Sequence, residues 1–390
     1  MISVADARAA LLDLVKPLDV ETLRLADTAG RVLATSVSAR RDQPPFDASA
    51  MDGYAVNAAE VEQHAMFKVV GEAAAGHGFQ GRVGAGQAVR IFTGAPVPQG
   101  ASFVVIQEDV HRKGDLITLS NDPGTNSNIR ARGCDFAVGQ TVTAPRRLSP
   151  ADVALLAAMN IAELPVRRRP VVALLSTGDE LVMPGQTPGP DQIIVSNTFG
   201  LKALLEQHGA EVRVLPIARD TDSALRTAFT LAEGADLVVT IGGASVGDHD
   251  LVAGVAQSLG LERSFYKVAM RPGKPLMAGR FGPRAMVGLP GNPVSAMVCG
   301  RLFVVPMVEA MLGLPDQPDR LKRAPLAIAL PRNGPRAHYM RAMWTGDRLT
   351  PFDNQDSSLL SVLAQAEALV LHPPNAPAAA VDDLVEYLTL

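Results

Sequence analysis

Four short apolar runs, "VVALLS", "EVRVLPIA", "DLVVTIGG" and "AMVGLPG", recur between residues 171 and 291 with helical stretches between them. They are largely apolar rather than alternating with polar residues. A strand of that kind has to be covered on both faces, which is the situation of a parallel sheet between layers of helices. The intervening "NTFGLKALLEQHG" and "DSALRTAFTLAEG" carry the helical spacing that such layers need. Residues 169–315 are therefore expected to form an α/β domain around a parallel sheet.

At 390 residues the chain has room for two to four domains, at roughly one per 150 residues. Residues 43–137 are dense in glycine and in short β-branched runs such as "AVRIFTG" and "SFVVIQEDV", the pattern of a β-rich domain. Residues 1–42 and 138–168 read as a helical and extended linker or dimerisation domain. It opens on a helix capped by Ser3 and contains a second, "LSPADVALLAAMN", capped by Ser149 with Pro150 at its first position. The run "RRRP" at 167–170 reads as solvated linker. Residues 316–390, with "LAIALP", "HYMRAMW" and "ALVLHPP", are expected to form a small C-terminal β domain.

Composition narrows the function. A 47% hydrophobic, 19% charged chain with net charge −4 is an ordinary folded protein and shows no basic surface for nucleic acid. Cys134 and Cys299, far apart, match no zinc spacing or disulfide framework, so reduced thiols are expected. The histidines form no metal-binding spacing. The N-terminus lacks a basic, apolar leader, and no apolar stretch reaches the ~18 residues of a membrane span. A soluble, cytoplasmic protein is the expectation.

In open α/β sheets, ligands bind beyond the carboxyl ends of the strands. Those ends carry unusual residues here. "STGDELV" places Thr177, Asp179 and Glu180 after the first run, "IARD" leaves Asp220, and "GGASVGDHD" follows the third. Gly242, Gly243 and Gly247 allow backbone amides to converge on an anion, and Ser245 adds a hydroxyl. In "GLPGNPVSA", Pro290 leads to Asn292 as a helix cap with Pro293 at the first position. Asp179 reads equally as a helix cap. Glu180, Asp220 and Asp250 together read as a site for Mg²⁺ beside a phosphate nest, since two bare carboxylates ~4 Å apart repel by about 4 kcal/mol at an effective dielectric near ~20. Lys267, Arg271 and Lys274, around a Pro-Gly turn, supply the opposite charge for an oxyanion. Arg341 and Ser357 are further candidates from the last domain.

The stretch "PPFDASAMDGYAV" is too rigid and too rich in acid and hydroxyl groups for a plain linker. Asp47, Ser49 and Asp52 read either as turn formers or as functional groups. "IFTGAPVP" and "NIRARGCDF" add Thr93, Arg130, Arg132 and Asp135 on glycine-bounded loops. "GASVG" formally matches the nucleophile elbow of serine hydrolases, with Ser245 as its serine, but runs into "DHD" rather than an apolar helix start.

These seven segments, "PPFDASAMDGYAV", "IFTGAPVP", "NIRARGCDF", "STGDELV", "GGASVGDHD", "RPGKPLMAG" and "GLPGNPVSA", stand in the order found in one family. From about residue 5 to its C-terminus the chain resembles molybdopterin molybdenumtransferase, the molybdate insertase or MoeA/gephyrin E-domain family. The resemblance implies a four-part subunit whose α/β domain resembles molybdopterin-binding proteins. It implies a homodimer with an active site shared between subunits. The implied reaction inserts molybdate into adenylylated molybdopterin and releases AMP, with Mg²⁺ as the metal.

Carried across, the family's acids fall on Asp52, Asp135, Glu180, Asp220 and Asp250, the last three as metal ligands. Its substrate groups fall on Thr93, Arg130 and Lys267, and its molybdate groups on Arg271, Lys274, Arg341 and Ser357. Arg271 stands where the family more often has a lysine, Cys134 where it is usually acidic, and "NQDSS" lacks the glycine expected before Ser357. The implied partners are a molybdopterin adenylyltransferase and molybdoenzymes or their chaperones, with neither nucleic acid nor membrane among them. The competing functions are a gephyrin-like scaffold and the sister reaction, adenylyl transfer from ATP to molybdopterin.

Overall fold

The computed structural model describes residues 1–243, 251–282, 284–316 and 321–390. The chain divides into two compact units. One comprises residues 22–29 and 35–165, the other residues 1–21, 30–34 and 166–390.

The first unit is built on a six-stranded sheet. Its strands run in the spatial order Phe103–Ile106, Gly53–Val56, Gln87–Ile91, Met66–Ala73, Leu116–Leu119 and Val110–Lys113. Alternate residues feed opposite cores: Tyr54 and Val56 pack with Phe67 and Ile117, whereas Ala55 packs with Val89 and Ile91. In the same unit, helix Pro150–Ala158 begins at a reciprocal cap between Ser149 and Asp152, with Pro150 in the first turn. Asn160 closes it at φ 63°.

In the second unit, four parallel strands run in the order Glu211–Val214, Val171–Ser176, Leu237–Ile241 and Arg284–Leu289. Both faces are covered, as the apolar runs require. Val172 and Leu174 pack with helix Asn197–Gln207, while Ala173 and Leu175 pack with helices Asp222–Leu231 and Leu251–Ser258. At one edge of this parallel core, Met277–Phe281 and Leu261–Tyr266 add antiparallel strands. The reason is local. Met277–Phe281 turns directly into Arg284–Leu289, and a connection that short permits only a hairpin, since a parallel crossover needs a dozen residues or more.

The C-terminal sheet is formed by Ala337–Thr345, Ala368–His372, Leu384–Thr389 and Lys322–Pro325, with Arg348–Pro351 pairing on the first. It also takes in Met270–Arg271 from the loop region of the α/β domain. "LAIALP" does not form the strand its composition suggests. The strand lies just before it, and Leu326 and Leu330 make only isolated bridges.

Pro293–Met311 is a helical run of 19 residues, long and apolar enough by composition to cross a membrane, but 83% of the tested window is buried inside the fold. Its apolarity serves the core, where Val294, Phe303 and Met307 pack with Leu201 and Leu289.

Candidate active site

The register of the parallel sheet aligns its carboxyl ends. Ser176 lies opposite Ile241, and Ile241 opposite Leu289, so Thr177, Gly242 and Pro290 emerge at one edge. The exit is tied by backbone bonds from Thr177 N to Ile241 O (3.1 Å) and from Gly242 N to Leu289 O (3.1 Å). A cavity of about 770 Å³ opens there. Of the expected site residues, Thr177, Glu180, Asp220, Gly242, Gly243, Pro290, Asn292 and Pro293 all line it. Ser245, Gly247 and Asp250 lie outside the described residues.

The floor of this cavity holds an unpartnered polar atom. Thr177 is only 3% exposed, and its hydroxyl has no hydrogen-bond partner among the described residues. A methyl group placed on Gly243 would sit 3.1 Å from that hydroxyl and 2.3 Å from Val252. The glycine therefore keeps the backbone against Thr177 in a conformation (φ 67°) that a side chain would oppose. Leaving a buried hydroxyl unsatisfied costs about 1–3 kcal/mol. The arrangement suits a ligand that supplies an acceptor oxygen.

Beside it stand the acids. At Gly178 an added methyl would lie 2.5 Å from a Glu180 carboxylate oxygen, so the Glu180 side chain folds back over a position open only to glycine. Burial raises the Asp220 pKa above the ordinary carboxylate range, and the charges of Asp179 and Glu180 push it further the same way. Asp179 caps no helix. Its segment leads into the short strand Leu181–Val182, its carbonyl accepts from Arg219 Nη1 at 2.6 Å, and its carboxylate faces the Asp220 amide at 3.4 Å. Among the described residues no group of three or more His, Cys, Asp or Glu side chains is placed to hold a metal ion.

Asn292 occupies the helix N-cap position, but its side chain makes no capping bond. It donates instead to Ser357 Oγ at 2.9 Å, while Val294 N donates to the Ser357 carbonyl at 3.0 Å. Two bonds thus hold Ser357 at the start of that helix. Arg341 stands behind the same loop, 1% exposed. Its guanidinium donates to Gln355 Oε1, Leu359 O and Asn354 O at 3.3, 3.2 and 3.3 Å, and Gln355 Nε2 returns a bond to Arg341 O at 2.9 Å. Arg341 is therefore built into the support of the loop and is not exposed beside the cavity.

The three remaining cations belong to a turn that borders the cavity through Pro275. It is closed by Lys267 N to Leu276 O and Val268 N to Lys274 O, both 3.0 Å. Lys267 holds a left-handed conformation (φ 82°) with its ammonium 5.2 Å from the Tyr266 ring centre. Arg271 and Lys274 are exposed, and none of the three lines the cavity itself.

The other unit gathers its own candidates. Backbone bonds link Ser49 N to Ala95 O, Gly94 N to Ser49 O and Ala50 N to Asn128 O, which locks the three loop motifs together. Asp52 accepts from the Thr93 amide (2.7 Å) and hydroxyl (2.8 Å). These two bonds, the amide's first, hold the Asp52 carboxyl below its ordinary pKa, with the Arg90 charge adding to them. Ser49 bonds its own segment at Met51 O, as a turn former does, whereas Asp47 reaches across to the Arg132 amide. Arg130 pairs through its backbone with Ala48, and the Asp135 amide bonds Gln43 O at 3.0 Å; both side chains are exposed.

The sequence missed several residues of the α/β site. Asn197 donates to Gly291 O at 2.7 Å, Ser176 bonds Thr198 beneath the cavity, and Ile193 and Ile194 form an exposed apolar wall. Only the Ile pair had a legible signal, an apolar dipeptide between prolines and polar residues.

Comparison with known proteins agrees with this multidomain architecture. Residues 2–160 match the MoeA N-terminal region (domains I and II), residues 173–310 a probable molybdopterin-binding domain, and residues 323–390 the MoeA C-terminal region (domain IV). A molybdopterin molybdenumtransferase from Haemophilus influenzae is 39% identical over 317 residues, covering 80% of this chain and 78% of that protein. The chain belongs to the molybdopterin molybdenumtransferase family. A relative of the same name from Nostoc is 39% identical over 328 residues, covering 80% of this chain and 75% of its own. A crystal structure of a molybdopterin biosynthesis MoeA protein from Pyrococcus horikoshii superposes with a TM-score of 0.83 at 29% identity, covering 100% of this chain and 99% of that one. Family membership accounts for the multidomain architecture, with an α/β sheet flanked in sequence by a β-rich N-terminal region and a C-terminal β sheet.

Proposed function

We propose that this protein inserts molybdate into adenylylated molybdopterin, releasing AMP and leaving molybdenum on the dithiolene of the pterin. The observation that carries the reading is the unpartnered Thr177 hydroxyl at the carboxyl edge of the sheet, against Gly242 and Gly243 and beside Glu180 and Asp220. A phosphate oxygen satisfies that hydroxyl, and glycine amides at the same edge add donors. The names of the relatives supply molybdopterin and molybdenum, and the family resemblance implies the adenylyl group.

Two acids beside a phosphate site call for a cation. Glu180 and Asp220 offer hard oxygen donors of the kind Mg²⁺ takes, one or two carboxylates with the remainder from water and phosphate. Burial first, and then the like charges of Asp179 and Glu180, raise the Asp220 pKa, as a crowded acidic site does without its cation. With Asp250 they would hold the ion, which when bound neutralises the phosphoryl oxygens of the bond to AMP. Thr177 and the glycine turn orient the diphosphate, Ile193 and Ile194 offer an apolar wall to a ring, and Lys267, Arg271 and Lys274 offset the negative charge of molybdate as it approaches the thiolates. Positioning and charge compensation suffice, and no covalent enzyme intermediate is required.

We further read the protein as a homodimer whose site takes Asp52, Thr93, Arg130 and Asp135 from the partner subunit. Support comes from the construction of the Asp52–Thr93 pair, in which an amide and a hydroxyl hold an ionised carboxylate in place. The deciding experiment is incubation with adenylylated molybdopterin, molybdate and Mg²⁺, following AMP by chromatography and molybdenum in the product. A folded protein that releases no AMP defeats the proposal. Product formed only from ATP and unmodified molybdopterin would assign the sister reaction instead.

A further inference from the structure

Arg271, His338 and His372 stand in one row across three adjacent strands, Arg271 opposite His338 and His338 opposite His372. Both histidines are buried. Burial, with the charges of Arg271, His372, Arg341 and Arg336, pushes the His338 pKa down to about 3. His338 is thus neutral at ordinary pH and adds no charge next to Arg271. Among the described residues no carboxylate forms an ion pair with Arg271 either. What holds the guanidinium is a neutral amide: Arg271 Nη2 donates to Asn333 Oδ1 at 3.4 Å.

The orientation of that amide is forced. Asn333 is 5% exposed. Its Nδ2 faces three carbonyl oxygens, those of His372 and Pro373 at 2.8 Å and of Arg336 at 3.0 Å. Only the NH₂ end of a carboxamide can face three acceptors, so the oxygen must point the other way, where it accepts from Gly334 N at 2.9 Å and from Arg271. A carboxylate in the same place would orient Arg271 but cancel its charge. The amide oxygen orients one edge of the guanidinium and leaves the full positive charge, with the opposite edge, for an oxyanion. A lysine ammonium has no second edge to offer.

We propose that Asn333 is a positioning residue for molybdate, aiming Arg271 without neutralising it and making the site of this chain dependent on arginine. The inference rests on the reading of Arg271 as a molybdate contact. The test is a double-mutant cycle of Asn333→Ala and Arg271→Lys in the full-length protein, measuring KM for molybdate, kcat for molybdenum insertion and thermal stability. Each single change is expected to raise KM for molybdate roughly tenfold with kcat within about threefold, the scale of one hydrogen bond to a charged group. The double variant is expected to be no worse than Asn333→Ala alone. Additive effects overturn the proposal. If Asn333→Ala does not fold, Arg271→Lys decides alone, and a wild-type KM for molybdate in that variant overturns it. A normal KM in Arg271→Ala would instead sink the underlying reading of Arg271.

Discussion

Asp52 and Thr93, 41 positions apart, are joined twice, the Thr93 amide and hydroxyl both donating to the same carboxylate oxygen. The pair favours the ionised form of Asp52. Because its folded pKa lies below the ordinary value, its contribution to stability is present above the unfolded carboxylate pKa and is lost as pH falls through the folded one. Asp52→Asn retains an acceptor oxygen but no charge. The expected outcome is a modestly lower melting temperature at pH 7 and an AMP release rate at least about tenfold lower, checked by calorimetry and chromatography.

Thr177 and Thr240 form a natural pair of opposites. Both hydroxyls are buried without a partner among the described residues. Thr177 lines the cavity, and Thr240 lies within the Leu237–Ile241 strand. Valine in either place removes an unsatisfied hydroxyl with little change of shape, so each variant should be as stable as the wild type or more so by about 1 kcal/mol. Activity should separate them: roughly tenfold weaker substrate binding for Thr177→Val and none for Thr240→Val. Equal behaviour in binding assays would deny Thr177 its role.

Asp220 has a raised pKa, so the folded state holds its proton more tightly than the unfolded chain. Stability from this group is gained as pH falls through the folded pKa and is lost as pH rises. Asp220→Asn should therefore melt higher than the wild type at pH 7 without added metal, by a few degrees at most, roughly. Magnesium should narrow or reverse the gap by stabilising the wild type alone. A thermal-shift series with and without Mg²⁺ gives the answer, and an identical response in both proteins would count against a metal at Asp220.

Mixing inactive Asp52→Ala and Asp220→Ala subunits tests the shared site. With free exchange, hybrid dimers carry one site with both acids intact, and about a quarter of wild-type activity should return. Silence after exchange has been demonstrated by mass spectrometry would place both acids in sites of a single subunit.

Much of this architecture was legible because its causes are local. The apolar runs state the covering of the sheet, Ser3 accepts from the Asp6 amide as a cap should, and Ser149 closes a reciprocal cap with Asp152. The glycine turns and acids at the carboxyl edge follow from strand ends alone. What escaped were polar side chains whose partners come from distant segments. Asn292 sits at the cap position yet bonds Ser357, 65 positions away. Arg341 carried a charge that suggested a ligand contact, but carbonyls of the following loop surround it. Asn333 in "PRNGP" looks like any turn residue until His372 and Arg271 are placed around it. No periodicity encodes such meetings.

The long helix that begins beside Asn292 ends deep within the hydrophobic interior. A rod so seated resists rotation, because its buried side chains are close-packed against the core. If the cavity at its open end takes the substrate proposed above, that end of the frame is preset and the substrate has to fit it.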